Sequence, residues 1–443
     1  MQIGIIIEKP RDILYFLLQN HEHLNRGYML QIDANWIQNT INNSQEVKVQ
    51  NESERNLIGQ LIDCSYQFAN DRSSDIGQYL AASFDLVVSA DYYSEIAHTN
   101  WLYCPGAKDE VLPRLYYHFT NCCPSHVLRS EFFFNAANKP PSGKIGKSTS
   151  RLLLDFLQQL FEKRGRSEKI FKGSEPVDTV ILDEVNKRVI FAEIKASPLV
   201  TLPLTILAET MYTEKDGQRV MLPHAPTNNT SLLDKEIQLL VPVMTDGRWL
   251  PRYYTLGKIG TARNTTWAQE GMTQLLKNQE FLKDYFSFWL EAIRIYSVKD
   301  QVPIFWLTNA CGTPSPLPVN WAKRRVGAGY ESVSDTKTSV GMDRTDDIKK
   351  GIFQTLKLGS HGKPFQSDWL FRVALISNIH AARHFDDYLD SIKDIVWTLD
   401  VSGNAKKASD LPPDQDIYNL CDGIVALTST LSRDQWVRDL FTF

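Results

Sequence analysis

The sequence of 443 residues has few cysteines, no long apolar run and no excess of basic residues. Six cysteines in a chain of this length argue against a disulfide framework and indicate a reducing compartment. No apolar stretch reaches the length of a transmembrane helix, and Met1–Ile5 lacks the basic start of a signal peptide. We therefore expect a cytoplasmic protein that does not bind membranes.

The formal net charge of the chain is -4 at pH 7, so the protein is not basic overall. Any binding of nucleic acid must therefore depend on local basic patches. The sequence also lacks internal repeats and low-complexity segments. Its 43% hydrophobic and 23% charged residues are typical of a globular protein, and its length suffices for two or three domains.

Residues 176–198 are the most informative stretch of the chain. Two apolar, β-branched runs, Asp178–Asp183 and Arg188–Ala196, predict two strands. Glu184–Lys187 supplies a polar connection of four residues between them. The pattern therefore predicts a β-hairpin whose strands are nearly continuous in apolar residues, as in a sheet that is buried on both sides.

This hairpin is expected to bring three charged side chains together. If Asp183 pairs with Arg188, an antiparallel ladder places Asp178 opposite Glu193, with Cβ atoms roughly 5 Å apart. Lys195 lies two residues beyond Glu193 and points to the same face. Two adjacent carboxylates favour a cation between them, and oxygen ligands of this kind suit Mg²⁺, with Mn²⁺ as a substitute. The alternative is an ordinary hairpin with a solvated charged face.

Pro176-Val177-Asp178, followed by Glu193-Ile194-Lys195, resembles the motif of the PD-(D/E)xK nuclease superfamily, whose largest group is the type II restriction endonucleases. The resemblance implies an α/β fold with a core of a mixed sheet flanked by helices. It implies Asp178 and Glu193 as ligands of Mg²⁺ and Lys195 as the third catalytic residue. The implied activity is site-specific hydrolysis of double-stranded DNA by a homodimer that is accompanied by a DNA methyltransferase.

The resemblance also divides the chain. Residues 141–200 and 343–443 are expected to form the two parts of the nuclease core. Residues 1–140 are an N-terminal region of mixed structure that could bind DNA or zinc. Residues 201–342 are a large insertion and a candidate DNA-recognition region.

The segment before the hairpin contains Gly146-Lys147-Ser148, which resembles the end of a phosphate-binding loop. A true loop of this class needs glycine at the position of Pro141, so an NTPase is a poor alternative. We expect instead a helix that is capped by Ser148, Thr149 or Ser150 and extends to about Arg164.

The superfamily often carries one more acidic residue on the helix before the hairpin, and Asp155 and Glu162 are available for a role that stays unassigned. A second helix is predicted at Asp343–Leu358, with Gly359 at its end. On that helix the superfamily often places a Gln or Lys near the metal. Three residues match this role by position, with Gln354 taken as the catalytic candidate: Gln354, Lys349 and Lys350.

Further elements are predicted from periodicity and composition. A long helix is expected at about Trp267–Tyr296, and strands at Val302–Thr308 and Phe371–Ser377. Basic residues in loops or near aromatic residues are candidate contacts to DNA, although such residues also occur on ordinary surfaces. These candidates are Lys144, Lys147, Arg263, Lys323, Arg324, Arg325 and Lys337.

A cluster of cysteine and histidine residues raises the question of zinc. Cys104, His118, Cys122 and His126 have spacings that could supply four ligands. The sequence has no pair of cysteines separated by two residues in this segment, whereas structural zinc sites usually have paired ligands. We therefore favour the alternative, in which these are buried cysteines and hydrogen-bonded histidines.

Two other functions remain open at this level. The chain could be another nuclease of the same superfamily, acting in repair or recombination. It could also be a catalytically inactive protein that binds DNA without turnover. A Mg²⁺-dependent and site-specific pattern of cleavage distinguishes a restriction enzyme from both.

Overall fold

The structure is a computed structural model that describes residues 34–49, 51–72, 76–99, 101–104, 106, 113–133, 138, 140, 142–207, 212–215, 218–221, 230–309, 340–343, 345–362, 368–390, 396–397 and 418–443. The helices are α1 (Ala34–Asn43), α2 (Glu52–Arg72), α3 (Ile76–Tyr93), α4 (Pro124–Val127), α5 (Ser142–Lys163), α6 (Trp267–Leu275), α7 (Gln279–Val298), α8 (Thr345–Gly362) and α9 (Gln435–Phe441). The strands are β1 (Gln45–Glu46), β2 (Leu102–Tyr103), β3 (Arg114–Tyr117), β4 (Lys169–Lys172), β5 (Thr179–Asp183), β6 (Arg188–Ile194), β7 (Leu204–Leu207), β8 (Tyr212–Lys215), β9 (Gln218–Met221), β10 (Ile237–Thr245), β11 (Arg248–Gly257), β12 (Leu370–Ser377), β13 (Val396–Trp397), β14 (Tyr418–Asn419), β15 (Gly423–Ala426) and β16 (Ser429–Ser432).

The chain divides into two compact units, each built from separate segments. Unit 1 comprises Met1–Val47, Phe161–Lys195 and Thr345–Phe443, and unit 2 comprises Lys48–Leu160 and Ala196–Arg344. Each unit contains helices and a sheet, which confirms the predicted mixed α/β class. No described helix combines the length and the apolar composition needed to cross a bilayer.

The sheet of unit 1 has seven strands in the order β1-β4-β5-β6-β12-β15-β16. Strands β4, β5 and β6 pair antiparallel, whereas β12 lies parallel to both β6 and β15. After β6 the chain passes through the second segment of unit 2, returns as α8 and then enters β12. The mixed character of this sheet agrees with the expectation from the sequence.

One face of this sheet holds a core of alternating apolar side chains. Successive residues of a strand point to opposite faces, so every second residue lies on the same side. The ring of Trp36 packs edge-on against Phe191, with 5.3 Å between ring centroids. The buried members of the cluster are Ile37, Ile41, Val177, Val180, Leu182, Val189, Phe191, Leu358, Phe371 and Val373. By the same alternation, Asp178 and Glu193 lie at the end of this face.

The sheet of unit 2 has five strands in the order β11-β10-β7-β3-β2, and all its pairs are antiparallel. Strands β10 and β11 are joined by a two-residue turn, Asp246-Gly247, in which both residues have positive φ (49° and 74°). Asp-Gly is the residue pair that such a hairpin turn favours. Helix α7 packs on α3, where Tyr285 Oη donates a hydrogen bond to Ala82 O at 2.7 Å.

Several predicted boundaries were wrong. Helix α5 begins at Ser142, so Ser148, Thr149 and Ser150 lie inside the helix and do not cap it. Gly146-Lys147-Ser148 is therefore helical and cannot form a phosphate-binding loop. The position of Pro141 lies outside the described residues.

Two predicted elements of the insertion also differ. The long helix expected at Trp267–Tyr296 is broken into α6 and α7, because the side chain of Asn278 accepts hydrogen bonds from two backbone N–H groups and caps α7. The strand expected at Val302–Thr308 is a 3₁₀ helix, Pro303–Leu307, and it begins at a proline.

Helix α8 also differs from its predicted boundaries. It starts at Thr345 and continues through Gly359 to Gly362, so Gly359 does not end it. A Cβ atom at Gly359 would lie 2.0 Å from Leu420 O. This glycine therefore permits a close approach of the helix to a neighbouring backbone.

Candidate functional site

The hairpin of β5 and β6 fixes the geometry of the candidate site. Asp183 pairs with Arg188, so the predicted register is confirmed. The connection Glu184–Lys187 has four residues, and the carboxylate of Asp183 holds it by accepting hydrogen bonds from Asn186 N at 3.1 Å and Nδ2 at 2.7 Å. An even number of connecting residues keeps the two carboxylates on the same face of the sheet.

The three predicted residues Asp178, Glu193 and Lys195 converge at the end of this hairpin. Asp178 Oδ2 accepts a hydrogen bond from Ile194 N at 3.0 Å, which fixes the carboxylate against β6. Lys195 Nζ lies 2.5 Å from Glu193 Oε1 and 3.9 Å from Asp178 Oδ2. Lys195 N donates to Ile376 O at 2.9 Å, so the pairing with β12 extends to the lysine.

The two carboxylates differ in their exposure to solvent. The side chain of Glu193 is 9% exposed, whereas that of Asp178 is 43% exposed. Burial and the neighbouring negative charge of Asp178 raise the pKa of Glu193 to about 7, although the hydrogen bond and charge of Lys195 oppose the shift. Glu193 therefore changes its charge near neutral pH, where a bound cation would favour the ionised form.

Helix α8 covers this end of the sheet. A Cβ atom at Gly351 would lie 2.9 Å from Leu375 Cδ1, 3.5 Å from Lys195 Cγ and 3.8 Å from Glu193 Cγ. The glycine thus allows the helix to approach the catalytic candidates. Gly351 was not predicted to lie at the site, although a glycine inside a predicted helix often marks such a close approach.

Gln354 lies one turn beyond Gly351 on the same side of α8. Its Oε1 atom is buried, and no described residue supplies a hydrogen bond to it. A buried amide oxygen without a hydrogen-bond partner, on the helix whose Gly351 approaches Glu193, is a hard oxygen donor of the kind that Mg²⁺ prefers, either directly or through water. These residues therefore fit the implied metal. Of the two alternatives, Lys349 Nζ lies over the ring of Tyr388, at 5.6 Å from its centroid.

The two candidate acids of α5, Asp155 and Glu162, have different surroundings. Asp155 Oδ2 lies 2.8 Å from Arg151 Nη1, which also binds Glu54 at 2.8 Å. Burial raises the pKa of Asp155 to about 6, with the charge of Arg151 opposing the shift. Asp155 thus belongs to an ion cluster of unit 2, and Glu162 is exposed near the end of α5.

The structure describes three of the predicted DNA contacts. Lys144 forms an ion pair with Glu95, whereas Lys147 and Arg263 are exposed. The role of these residues in DNA binding stays a prediction. The remaining candidates lie outside the described residues: Lys323, Arg324, Arg325 and Lys337.

The cysteine and histidine residues of unit 2 form a cluster that differs from the predicted set. Cys104, Cys123 and His126 are buried, and their potential ligand atoms all lie within 4.8 Å of one another. Cys123 thus takes the place predicted for Cys122. His118 lies apart from the cluster, with Nδ1 3.4 Å from Thr120 Oγ1, and burial lowers its pKa to about 4.

Comparison of the chain with protein-family models, with curated proteins and with solved structures found no match. Fold-level similarity therefore contributes nothing to an assignment of function. The geometry and electrostatics of Asp178, Glu193 and Lys195 are the basis on which a function can be assigned.

Proposed function

We propose that the protein is a metal-dependent endonuclease that cleaves double-stranded DNA at specific sites, as a type II restriction enzyme does. The observation that carries this proposal is the convergence of two carboxylates and an ammonium group at the end of one hairpin, with the pKa of Glu193 raised to about 7. If these residues had only a structural role, no bound cation would offset the repulsion between the two carboxylates and the burial of Glu193. The free energy of folding would then be less favourable.

The order of the elements in the chain supports the same proposal. A helix, three antiparallel strands, a second helix and a parallel strand follow one another as α5, β4, β5, β6, α8 and β12. The resemblance to the PD-(D/E)xK superfamily implies a helix before the hairpin, and a helix and a further strand after Lys195, so this part of the order supports the proposal. The segment of unit 2 enters between β6 and α8, directly after Lys195.

Each residue of the site has a role that its position permits. Asp178 and Glu193 would hold Mg²⁺, and Gln354 of α8 offers a buried amide oxygen as a further donor. The bound ion supplies Lewis-acid chemistry, which polarises a phosphoryl oxygen and lowers the pKa of water. Lys195 would orient the attacking water or stabilise negative charge that develops on the phosphate, because its ammonium group lies 2.5 Å from Glu193 Oε1 and 3.9 Å from Asp178 Oδ2, beside the proposed metal ligands.

The proposal is tested by incubating the full-length protein with duplex DNA of varied sequence in Mg²⁺. We expect discrete fragments from the parent and a loss of cleavage rate of about 100-fold or more in Lys195→Ala and Glu193→Gln. Glu184→Gln is the matched control, because Glu184 is an exposed carboxylate in the turn at the opposite end of the hairpin. It should cleave like the parent.

Chelation by EDTA should stop cleavage, and the addition of Mg²⁺ alone should restore it. DNA degradation without site preference that is lost in the same variants would indicate a less specific nuclease and not a restriction enzyme. Binding of DNA without cleavage, equal in the parent and in Lys195→Ala, would overturn the enzymatic proposal in favour of a DNA-binding protein.

A further inference from the structure

The cluster of Cys104, Cys123 and His126 lies in unit 2 and takes no part in the proposed nuclease chemistry. Cys104 directly follows β2, Cys123 is the residue that precedes α4, and His126 lies within α4. The three residues are almost fully buried, with exposures of 2%, 0% and 4%. The chain therefore folds back so that two thiols and an imidazole from two separate elements meet in the interior.

The donor atoms converge on one point. His126 Nδ1 lies 3.1 Å from Cys104 Sγ and 3.2 Å from Cys123 Sγ. Around a shared tetrahedral zinc ion, the usual Zn–S and Zn–N lengths place sulfur and nitrogen roughly 3.6 Å apart. A change of about half an ångström in side-chain positions thus converts the observed arrangement into a coordination sphere.

The other side of the imidazole ring is also held in place. Glu131 Oε2 lies 4.0 Å from His126 Nε2, and the ring of Phe133 packs edge-on at 4.8 Å between centroids. A Cβ atom at Gly106 would lie 3.0 Å from His126 Nε2, so the glycine leaves room for the ring. The acidic residue lies on the side of the ring where metal-binding histidines commonly have a carboxylate, at a distance longer than a hydrogen bond.

We propose that Cys104, Cys123 and His126 bind one Zn²⁺ ion, which joins the end of β2 to α4 and stabilises unit 2. Two thiolates and a neutral imidazole are the soft and borderline ligands that zinc selects over magnesium. Binding releases the thiol protons. The three side chains supply three of the four positions of tetrahedral zinc and leave the fourth for water, and the site is separate from the proposed nuclease chemistry.

The first test is the metal content of the full-length protein, purified under reducing conditions without a chelator. We expect about one zinc ion per chain in the parent and a loss of most of it in Cys104→Ser, Cys123→Ser and His126→Gln. Cys122→Ser is the matched control, since Cys122 is buried next to Cys123 in the chain but lies outside the cluster. It should retain zinc like the parent.

The second test replaces zinc by Co²⁺, whose thiolate charge-transfer and visible absorption bands report sulfur ligands directly. The parent, stripped of metal, should develop these bands and saturate at one equivalent, and this titration decides the question even if a ligand variant fails to fold. A parent that binds neither ion at stoichiometric concentration would overturn the proposal. So would loss of metal from Cys122→Ser to the same degree as from Cys123→Ser.

The zinc site and the nuclease site can fail separately. EDTA removes both ions. If Mg²⁺ alone restores cleavage, the nuclease activity does not require zinc, and the metal analysis decides by itself whether zinc binds. Zinc retained by Lys195→Ala, together with the loss of its cleavage, would support both proposals independently.

Discussion

At the scale of single residues, Glu193 determines how the candidate site responds to pH. Its carboxyl group is nearly buried beside a second carboxylate, while Lys195 supplies only one compensating charge. The raised pKa means that the folded protein binds a proton that the unfolded chain releases at about pH 4.5. Between about pH 4.5 and about pH 7, the ionisation of Glu193 lowers the free energy of unfolding as the pH rises. Above about pH 7 this group lowers it no further.

Glu193→Gln removes this titration, so the variant should gain stability relative to the parent as the pH rises from 5 to 8. Without divalent ions, we expect the difference in melting temperature to shift in favour of the variant by about 2–4 °C, measured by circular dichroism. Mg²⁺ should raise the melting temperature of the parent at pH 8 and leave that of the variant unchanged. For the control Glu184→Gln, we expect the difference in melting temperature from the parent to be the same at pH 5 and at pH 8. The same result for Glu193→Gln would contradict the raised pKa of Glu193.

At the scale of secondary-structure elements, α8 is placed by two glycines that serve different contacts. Gly351 faces side-chain atoms of Leu375 and Lys195, and Gly359 faces the backbone of Leu420. A flexible side chain can move aside, whereas a backbone carbonyl that is fixed by its neighbours cannot do so cheaply.

This contrast predicts effects of different size for two alanine substitutions in one helix. Both gain about 1 kcal/mol of helix propensity. Gly351→Ala should therefore change the free energy of unfolding by less than about 1 kcal/mol, whereas Gly359→Ala should lose about 2 kcal/mol or more. Urea unfolding measures both, and equal effects would show that close approach to Leu420 does not place the helix.

The sequence allowed the elements near the site to be predicted because their signals are local. The register of β5 and β6 follows from a four-residue connection, and the strand at Leu370–Ser377 follows from its composition. The start of α5 at Ser142 was missed because Gly143 and Gly146 argue against a helix. Packing within the folded chain outweighs that propensity and cannot be deduced from the segment alone.

At the scale of the whole molecule, the two units have separate cores, and a buried carboxyl group marks the core of unit 2. Asp85 Oδ2 accepts hydrogen bonds from Leu199 N and Val200 N at 3.0 Å and from Trp289 Nε1 at 2.8 Å. Burial raises the pKa of Asp85 to about 8, although these hydrogen bonds oppose the shift. One side chain thus joins α3, the start of the 196–344 segment and α7.

Asp85→Ala should destabilise unit 2, because it leaves three buried donors without an acceptor at about 1–3 kcal/mol each. Hydrogen exchange followed by mass spectrometry should show faster exchange in peptides around Leu199 and in α7, with little change in β5 and β6. Asp85→Asn keeps an acceptor and should have a smaller effect. An increase of the same size throughout the chain would indicate that the two cores do not open separately.

The division into units was only partly predictable. The sequence indicates a core that is interrupted after Lys195 and resumes near residue 343, and the structure places the boundary at Thr345. The pairing of β3 with β7 was not predicted, because it joins residues about 90 positions apart. Single-sequence patterns contain no signal for such contacts. For the same reason, the sequence did not show that Cys123, and not Cys122, lies close to Cys104 and His126.

The parallel pairing of β6 with β12 has a consequence for the synthesis of the protein. Ile194 and Ile376 are paired, yet roughly 180 residues separate them in the chain. At the usual rate of translation, about 10 to 40 seconds pass between the emergence of the two strands from the ribosome. Glu193 and Lys195 lack α8 and β12 throughout this interval. A nascent chain therefore cannot assemble the candidate site until α8 and β12 have been synthesised.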